Sequence, residues 1–410
     1  MDNKEPLGII EFDDASIRCV IFKILSNNSL EILSKSTKAS KGIYNDIIVN
    51  IEEATDTIRQ CISDAEKKAN ISLRKINLTL EQVDFLCTKI TKNKRIDGSK
   101  IHKDDIDFLL KEGKKEITQN DKNQSIIHIF NHNYIIDGKK FIEEPIGFFA
   151  DVLTHEMSFV SIPKNNLKNI NQVFINCDIE LERLISRTFA LGVQILKDSD
   201  LKYGSGIINL GFEKISLGLF KNLALVHSVS FPIGINHIIK DVAKVCSLNF
   251  EESKLIVKDF DFSLKDNKNI FDENKFLKKD FFKDSQFRKI SKSLITNVIN
   301  ARISEIASIL QKQLIVPKFK NSTEKLFLLA GNEFNLSNIE FFFSNYFGPN
   351  TNKFTIHDVK KNYNLEKNFA ACIGAIKLIK DGWETEAIAE ISEKNGKKIG
   401  FFSKIFSNLQ

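Results

Sequence analysis

A chain of 410 residues with 42% hydrophobic content is long enough to bury more than one core, so two domains or more are expected. Its 59 basic and 53 acidic residues leave a net charge of +6, mixed rather than striped, which argues against a dedicated nucleic-acid binder. The six cysteines, Cys19, Cys61, Cys87, Cys177, Cys246 and Cys372, are scattered without a C-x-x-C pair and read as reduced thiols, with no disulfide framework and no metal site.

The opening MDNKEPLGIIEF lacks the apolar run of a signal peptide, and no stretch reaches the ~18 apolar residues of a spanning helix. Leu7 to Leu25 reads as a hairpin with a polar turn at Asp13-Asp14. Lys41-Gly42 precedes an amphipathic helix that runs from Ile51 through Ala54, Ile58, Cys61, Ile62 and Ala65 to Ala69. Ile76–Leu80 reads as a strand. From Glu81 to about Val160 the texture changes to that of a small α/β insert. It holds a charged stretch at Thr91–Arg95, a helix from His102 to Lys114, and strands Ile126–Phe130 and Tyr134–Ile136 joined by a polar turn. His128 and His132 stand four apart but among strand residues, so they are not assigned as metal ligands.

Helical patterns cover Leu167–Cys177 and Ile179–Leu196. The central stretch, Ile207 to Asn222, reads as strand, tight turn and strand, with Gly211 breaking the apolar run. Helices follow over His237–Cys246 and Phe250–Lys258, then Asp259–Phe282, charged and Phe-rich without period, reads as an expanded loop. A long helix is expected from Ser291 to Leu310, a buried strand at Lys325–Ala330, a turn at Gly331 and a helix from Leu336 to Tyr346. Phe369–Leu378 is a helix of small residues. After the polar, acidic linker Glu384–Lys394, the last segment places Ile399, Phe402, Ile405, Phe406 and Leu409 on one helical face, with Lys398 and Lys404 at its edges and no acid. That is the composition of an interfacial helix on an anionic bilayer. Full burial of each large side chain gives ~1.5–3 kcal/mol, so a single copy binds reversibly and self-association raises avidity.

Two hairpins with acids or glycine at their turns, the strand–turn–helix at Leu326–Phe342 and the small-residue helix resemble the layout of actin-like ATPases. Within that group the chain resembles the bacterial cell-division protein family FtsA. Lys41-Gly42-Ile43 before Ile51-Glu52-Glu53-Ala54-Thr55 is similar to that family's S-K-G-I…I-E-x-A-T element. Phe231 to Ile238 is similar to P-x-G-G-[ND]-H-[IV], and Leu294 to Ile306 to L-x-x-V-I-x-[AP]-R-x-x-E-I. The resemblance implies a duplicated ribonuclease H-like, actin-like α/β fold of two domains with an FtsA-type subdomain inserted in the first. The first domain would take 1–80 and 161–200 around the insert at 81–160. The second would take 201–235 and 316–365 around a peptide-binding subdomain at 236–315. A return helix at 366–383, a linker at 384–396 and a membrane-targeting helix at 397–410 complete the chain.

The family's nucleotide motifs, [DE]-x-G-[TS]-x-[KS], D-x-G-G-G-T and G-G-[GS], are degenerate here. They read Glu11-Phe12-Asp13-Asp14-Ala15-Ser16, Asn209-Leu210-Gly211-Phe212-Glu213-Lys214 and Gly331-Asn332-Glu333. Glu11, Asp14, Asn209, Gly211, Lys214 and Gly331 are the residues that fall at the nucleotide positions. Side chains replace the glycines that let backbone approach phosphate. Asp13, Asp14, Glu213 and Glu333 bring negative charge, each costing roughly 3 kcal/mol near ~5 Å at an effective dielectric of ~20. Lys214 would offset part of this. The expectation is weak or absent binding of ATP and Mg2+, no catalytic residue, and no enzyme activity.

The resemblance also implies partners. The C-terminal peptide of FtsZ would dock on the 236–315 subdomain at Arg288, Lys289, Asn297 and Arg302, the last matching the family's A-R position. Later division proteins and the next subunit would contact the insert. The membrane set is Lys397, Lys398, Ile399, Phe401, Phe402, Lys404, Ile405, Phe406 and Leu409. The expected place is the cytoplasmic face of the cell membrane, peripherally, at the division site. Two other readings are a PilM-like pilus platform, which shares fold and insert but lacks a lipid-binding tail, and an active ATPase or sugar-kinase-like enzyme.

Overall fold

The computed structural model describes residues 5–13, 15–142, 144–263, 267–314, 325–330, 336, 338–347 and 367–381. In chain order the strands are β1 (Leu7–Phe12), β2 (Ser16–Ile24), β3 (Leu30–Ala39), β4 (Ile43–Tyr44) and β5 (Ile47–Ile48), followed by helix α1 (Ile51–Ala69). Then come β6 (Lys75–Leu80), β7 (Leu86–Arg95), α2 (Lys103–Asn120), β8 (Gln124–Ile136), β9 (Lys140–Ile142), β10 (Val152–Pro163) and α3 (Lys164–Asn176). Next are β11 (Glu180–Ser186), α4 (Arg187–Ile195), α5 (Asp198–Tyr203), β12 (Ser205–Leu210), β13 (Ile215–Lys221) and β14 (Ala224–Phe231). The remainder is α6 (Ile235–Cys246), α7 (Phe250–Asp259), α8 (Lys292–Leu314), β15 (Lys325–Ala330), α9 (Ile339–Phe347) and α10 (Ala370–Asp381).

Two sheets repeat one strand order. The first runs β11-β6-β1-β2-β3 and the second β14-β13-β12-β15. In each, three consecutive strands lie side by side and a later strand joins the outer side of the first one. β6 is parallel to β1 and β15 is parallel to β12. This is the duplicated α/β plan the sequence implies. The third sheet, β7-β10-β8-β9, is interposed in the chain between β6 and β11.

The described residues form two compact units. One takes those within Met1–Lys202, Gly218–Ser230 and Val359–Gln410, the other those within Tyr203–Leu217 and Phe231–Asp358. In the first, β1 and β2 are buried along nearly their whole length, since helices cover both faces of a central strand pair. Helix α1 turns Ala54, Ile58, Cys61, Ile62 and Ala65 inward. Asn50 caps its start, accepting hydrogen bonds from the amides of Glu52 and Glu53. Ser34 and Ser36 of β3 donate to the carbonyls of Ala65 and Cys61, so the strand is tied to the helix that crosses it. In the insert, α2 lies against β7 and β10, with Ile90, Leu110, Ile117, Met157 and Phe159 packed between them. In the second unit, α8 buries Ile295, Ile299, Ile303, Ile306 and Leu310 at helical spacing.

Two expectations are corrected, and one stretch read only as charged gains a structure. Ile179–Leu196 is not one helix: Glu180–Ser186 is strand β11, parallel to β6, and only Arg187–Ile195 is helical. A vacant sheet edge beside β6 outweighs local helix propensity. The polar Asn131-His132-Asn133 does not turn the chain but continues β8 through a bulge against β10. Its side chains are satisfied across the strands, Asn131 by His155 and Asn133 by Glu156. The charged stretch Thr91–Arg95 is the end of strand β7, where Lys92 and Lys94 pair with Glu116 and Asp105 of α2.

Candidate functional site

In the first unit the turn between β1 and β2 is built on strand register. β1 and β2 pair so that Glu11 lies opposite Arg18, and β6 places Thr79 on the other side of Glu11. The turn is tight, the Asp13 amide donating to the Ser16 carbonyl at 3.0 Å. Arg18 is only 2% exposed and Glu11 3%. Arg18 reaches Asp13 at 2.8 Å and Glu11 at 3.5 Å. A second guanidinium arrives from the start of α4, where the Ser186 hydroxyl caps the helix by accepting from the Phe189 amide. Arg187 Nε is 3.4 Å from Glu11 and Nη1 is 3.4 Å from Asp13. Its Nη2 is 2.8 Å from Asp46. Asp46 is held there by a two-residue hairpin between β4 and β5, where Asn45 and Asp46 have φ of 50° and 61°.

The acids of this turn are therefore not an uncompensated charge awaiting phosphate, as the sequence alone suggests. Two guanidinium groups face three carboxylates. Burial pushes the Glu11 carboxyl up, against the pull of Arg18 and Arg187. Burial works against the charge of Arg18 too, but Glu11 and Asp13 hold it above its ordinary value. Cys372 of α10 contacts the remaining Glu11 oxygen at 3.3 Å.

The network extends to the root of the insert. Asp46 accepts from the Glu81 amide at 2.7 Å, and its carbonyl accepts from Gln82 at 2.6 Å. The Glu81 carboxyl sits at the N-terminus of α4, accepting from the Ser186 hydroxyl at 2.8 Å and the Thr188 amide at 2.9 Å. Burial raises Glu81 against these bonds. His128 of β8 accepts the Ser186 amide through Nε2 at 2.8 Å, which fixes the neutral ring with its proton on Nδ1. Burial depresses His128 to about 3.

Arg18, Asp46, Glu81, His128 and Arg187 form a polar set that sequence reasoning did not assemble. One signal was present: Arg18 is the sole charge in the apolar run Ile17–Phe22.

In the second unit, Gly211 ends β12 and its amide donates to the Lys214 carbonyl at 3.0 Å. A Cβ at Gly211 would lie 2.7 Å from that carbonyl oxygen, so the glycine is required by the turn itself. The carbonyls of Gly211 and Phe212 accept the first amides of α6, from Ile235 at 3.1 Å and Asn236 at 2.8 Å. The Asn236 side chain donates to Glu213 at 2.5 Å. Lys214, expected to face a ligand, is 3% exposed, and Asn209 lies in register with Leu329 of β15. Asp14 and Gly331 lie outside the described residues, as do Asn332 and Glu333.

Of the residues assigned to peptide binding, Arg302, Arg288 and Lys289 have partners of their own. Arg302 of α8 donates to Asp241 of α6 and to Glu305, each at 2.6 Å. Arg288 donates to the carbonyls of Cys246 and Ser247, capping the C-terminal end of α6. Lys289 lies 5.7 Å from the Phe276 ring centre, and Asn297 is exposed. The long loop after α7 is pinned by Glu252, which sequence reasoning did not single out. Its carboxylate accepts from the amides of Lys283, Asp284 and Ser285 at 2.8–2.9 Å and from the Ser285 hydroxyl at 2.5 Å. Burial alone would raise Glu252, but these bonds take it down to about 2. The membrane set Lys397 to Leu409 lies outside the described residues. Among the described residues, no helix is long and apolar enough to cross a membrane.

The family model described as the SHS2 domain inserted in FtsA matches residues 87–161, the stretch that contains nearly all of β7 and all of α2, β8 and β9, and most of β10. Along more of the chain, the cell-division protein FtsA of Agrobacterium fabrum is 20% identical over 338 residues, covering 79% of this chain and 75% of the relative. The chain is thus similar to FtsA along about three quarters of its length. The FtsA of Buchnera aphidicola subsp. Schizaphis graminum is 22% identical over 318 residues, covering 76% of this chain and 74% of the relative. The fold of this FtsA-like chain matches the solved PilM–PilN type IV pilus biogenesis complex, with a TM-score of 0.60, 10% identity, and coverage of 90% of this chain and 98% of that one. It also matches MreB5 of Spiroplasma citri bound to ADP, with a TM-score of 0.54, 12% identity, and coverage of 93% and 98%. At such identities these structures bear on fold alone, which is actin-like.

Proposed function

We propose that this protein is a cell-division scaffold. It tethers FtsZ filaments to the cytoplasmic face of the membrane through the amphipathic segment 397–410 and recruits later division proteins. The relatives are named cell-division proteins, which supports the division role. The observation that carries the reading is the inserted sheet between β6 and β11, because its sequence matches the domain inserted in FtsA. In this reading the insert is a partner surface, the FtsZ C-terminal peptide docks on the subdomain of α6 and α8, and copies associate into filaments that multiply weak membrane contacts. The role needs no catalysis, and none is assigned.

The test is sedimentation of the full chain with vesicles of mixed neutral and anionic lipid. The full chain pellets with them, a chain ending at Gly396 stays in solution, and Phe402→Asp weakens binding about tenfold or more. Equal pelleting of the shortened chain would remove the tethering role.

A further inference from the structure

The resemblance implies ATP with Mg2+ at the first turn, so the described half of that site is a test of fit. In the first unit the Asp13 amide is given to Ser16, and the carboxylates of Glu11, Asp13 and Asp46 converge on Arg187. Arg18 covers Glu11 and Asp13 from the neighbouring strand. A magnesium ion would have to displace a tethered guanidinium from these carboxylates, and a phosphate would meet the carboxylates of Glu11, Asp13 and Asp46 beside the two guanidinium groups. These residues do not fit a metal-bound triphosphate.

We propose that Arg187 is a built-in counter-ion, whose guanidinium gathers Glu11, Asp13 and Asp46 and so orders the first turn without any ligand. A guanidinium suits this task where a lysine would not, since its planar fork offers donors in several directions at once. Here Nη1 and Nη2 donate to Asp13, in the turn after β1, and to Asp46, in the β4–β5 hairpin, while Nε lies within ion-pair distance of Glu11 on β1. These groups are distant in sequence, and Asp46 in turn holds the Glu81 amide and Gln82, where the insert begins. Arg187 thus links the turn of the first sheet to the root of the inserted one. A buried charge cluster of this kind is destabilised when one partner is removed, and without Arg187 the carboxylates lose one of the two guanidinium groups that face them.

The experiment is thermal unfolding of the full chain, wild type and Arg187→Ala, with NaCl, guanidinium chloride at low, non-denaturing millimolar levels, or ATP with Mg2+. The expected results are no shift of the wild type with millimolar ATP and Mg2+, and a fall of roughly 5–10 °C for Arg187→Ala. Guanidinium, at levels that do not raise the wild type, recovers part of that fall. A wild type stabilised by micromolar ATP overturns the proposal, as does a variant with unchanged melting, or a fall that guanidinium leaves untouched. If Arg187→Ala does not fold, Arg187→Lys, Asp46→Asn and their double variant decide. Losses well below additive support the link, and additive losses overturn it.

Discussion

His128 and Glu252 show how single titratable groups are held in one protonation state by the atoms around them. His128 is buried, accepts the Ser186 amide, and is depressed to about 3 by burial. In the unfolded chain a histidine titrates near ~6.5, so the native state refuses a proton that the unfolded state takes. The sign follows: this contribution is complete above pH ~6.5 and is lost as pH falls from there towards about 3. One such group gives a slope of about 1.4 kcal/mol per pH unit within that window. His128→Gln keeps an acceptor for Ser186 and does not titrate, so its stability curve flattens between pH 6 and 4 relative to wild type. Chemical denaturation across that range measures it, and parallel curves would contradict the assignment. At this scale the sequence was least legible. Arg18 and Gly211 stand out in their strands, but what Glu81, Asp46 and Arg187 do depends on a hairpin, a helix start and a strand end meeting in space. The same holds for Glu252, whose three amide donors come from a loop more than thirty residues on.

Helices α4 and α10 meet at one of the closest backbone approaches in the first unit. A Cβ added at Gly374 would lie 1.8 Å from the Ala190 carbonyl oxygen, so the crossing excludes any side chain there. Gly374→Ala gains about 1 kcal/mol of helix propensity, but the clash must move one helix against a packed core. The net expectation is a loss of about 1–3 kcal/mol, read as a lower denaturation midpoint with the slope unchanged. A variant as stable as wild type would show that the two helices separate readily. The small-residue run around Cys372 marked the helix in the sequence, but not the helix it crosses. Helices with clean periodicity were equally legible, α1 and α8 above all, because their buried apolar residues recur at helical spacing. Strand β11 was misread because Leu181, Leu184 and Ile185 also suit a helical face. What decides its form is the open edge of β6, which no local pattern records.

On the scale of the whole chain, identity near 20% to FtsA relatives coexists with turns that have changed their chemistry. The order of hairpin, insert, hairpin and small-residue helix was readable because each is a run of ordinary length with ordinary punctuation. The state of the first turn was not, since its acids are balanced by arginines from elsewhere in the fold. On the proposed reading, a first turn ordered by its own side chains lets the scaffold act without a nucleotide supply. The most direct test of this account follows FtsZ, polymerised with GTP, in the presence of anionic vesicles and the full chain with no ATP added. The account predicts that FtsZ sediments with the vesicles, and that it stays behind when the chain ends at Gly396. FtsZ left in solution beside membrane-bound full chain, or recruited only after ATP is supplied, would contradict it.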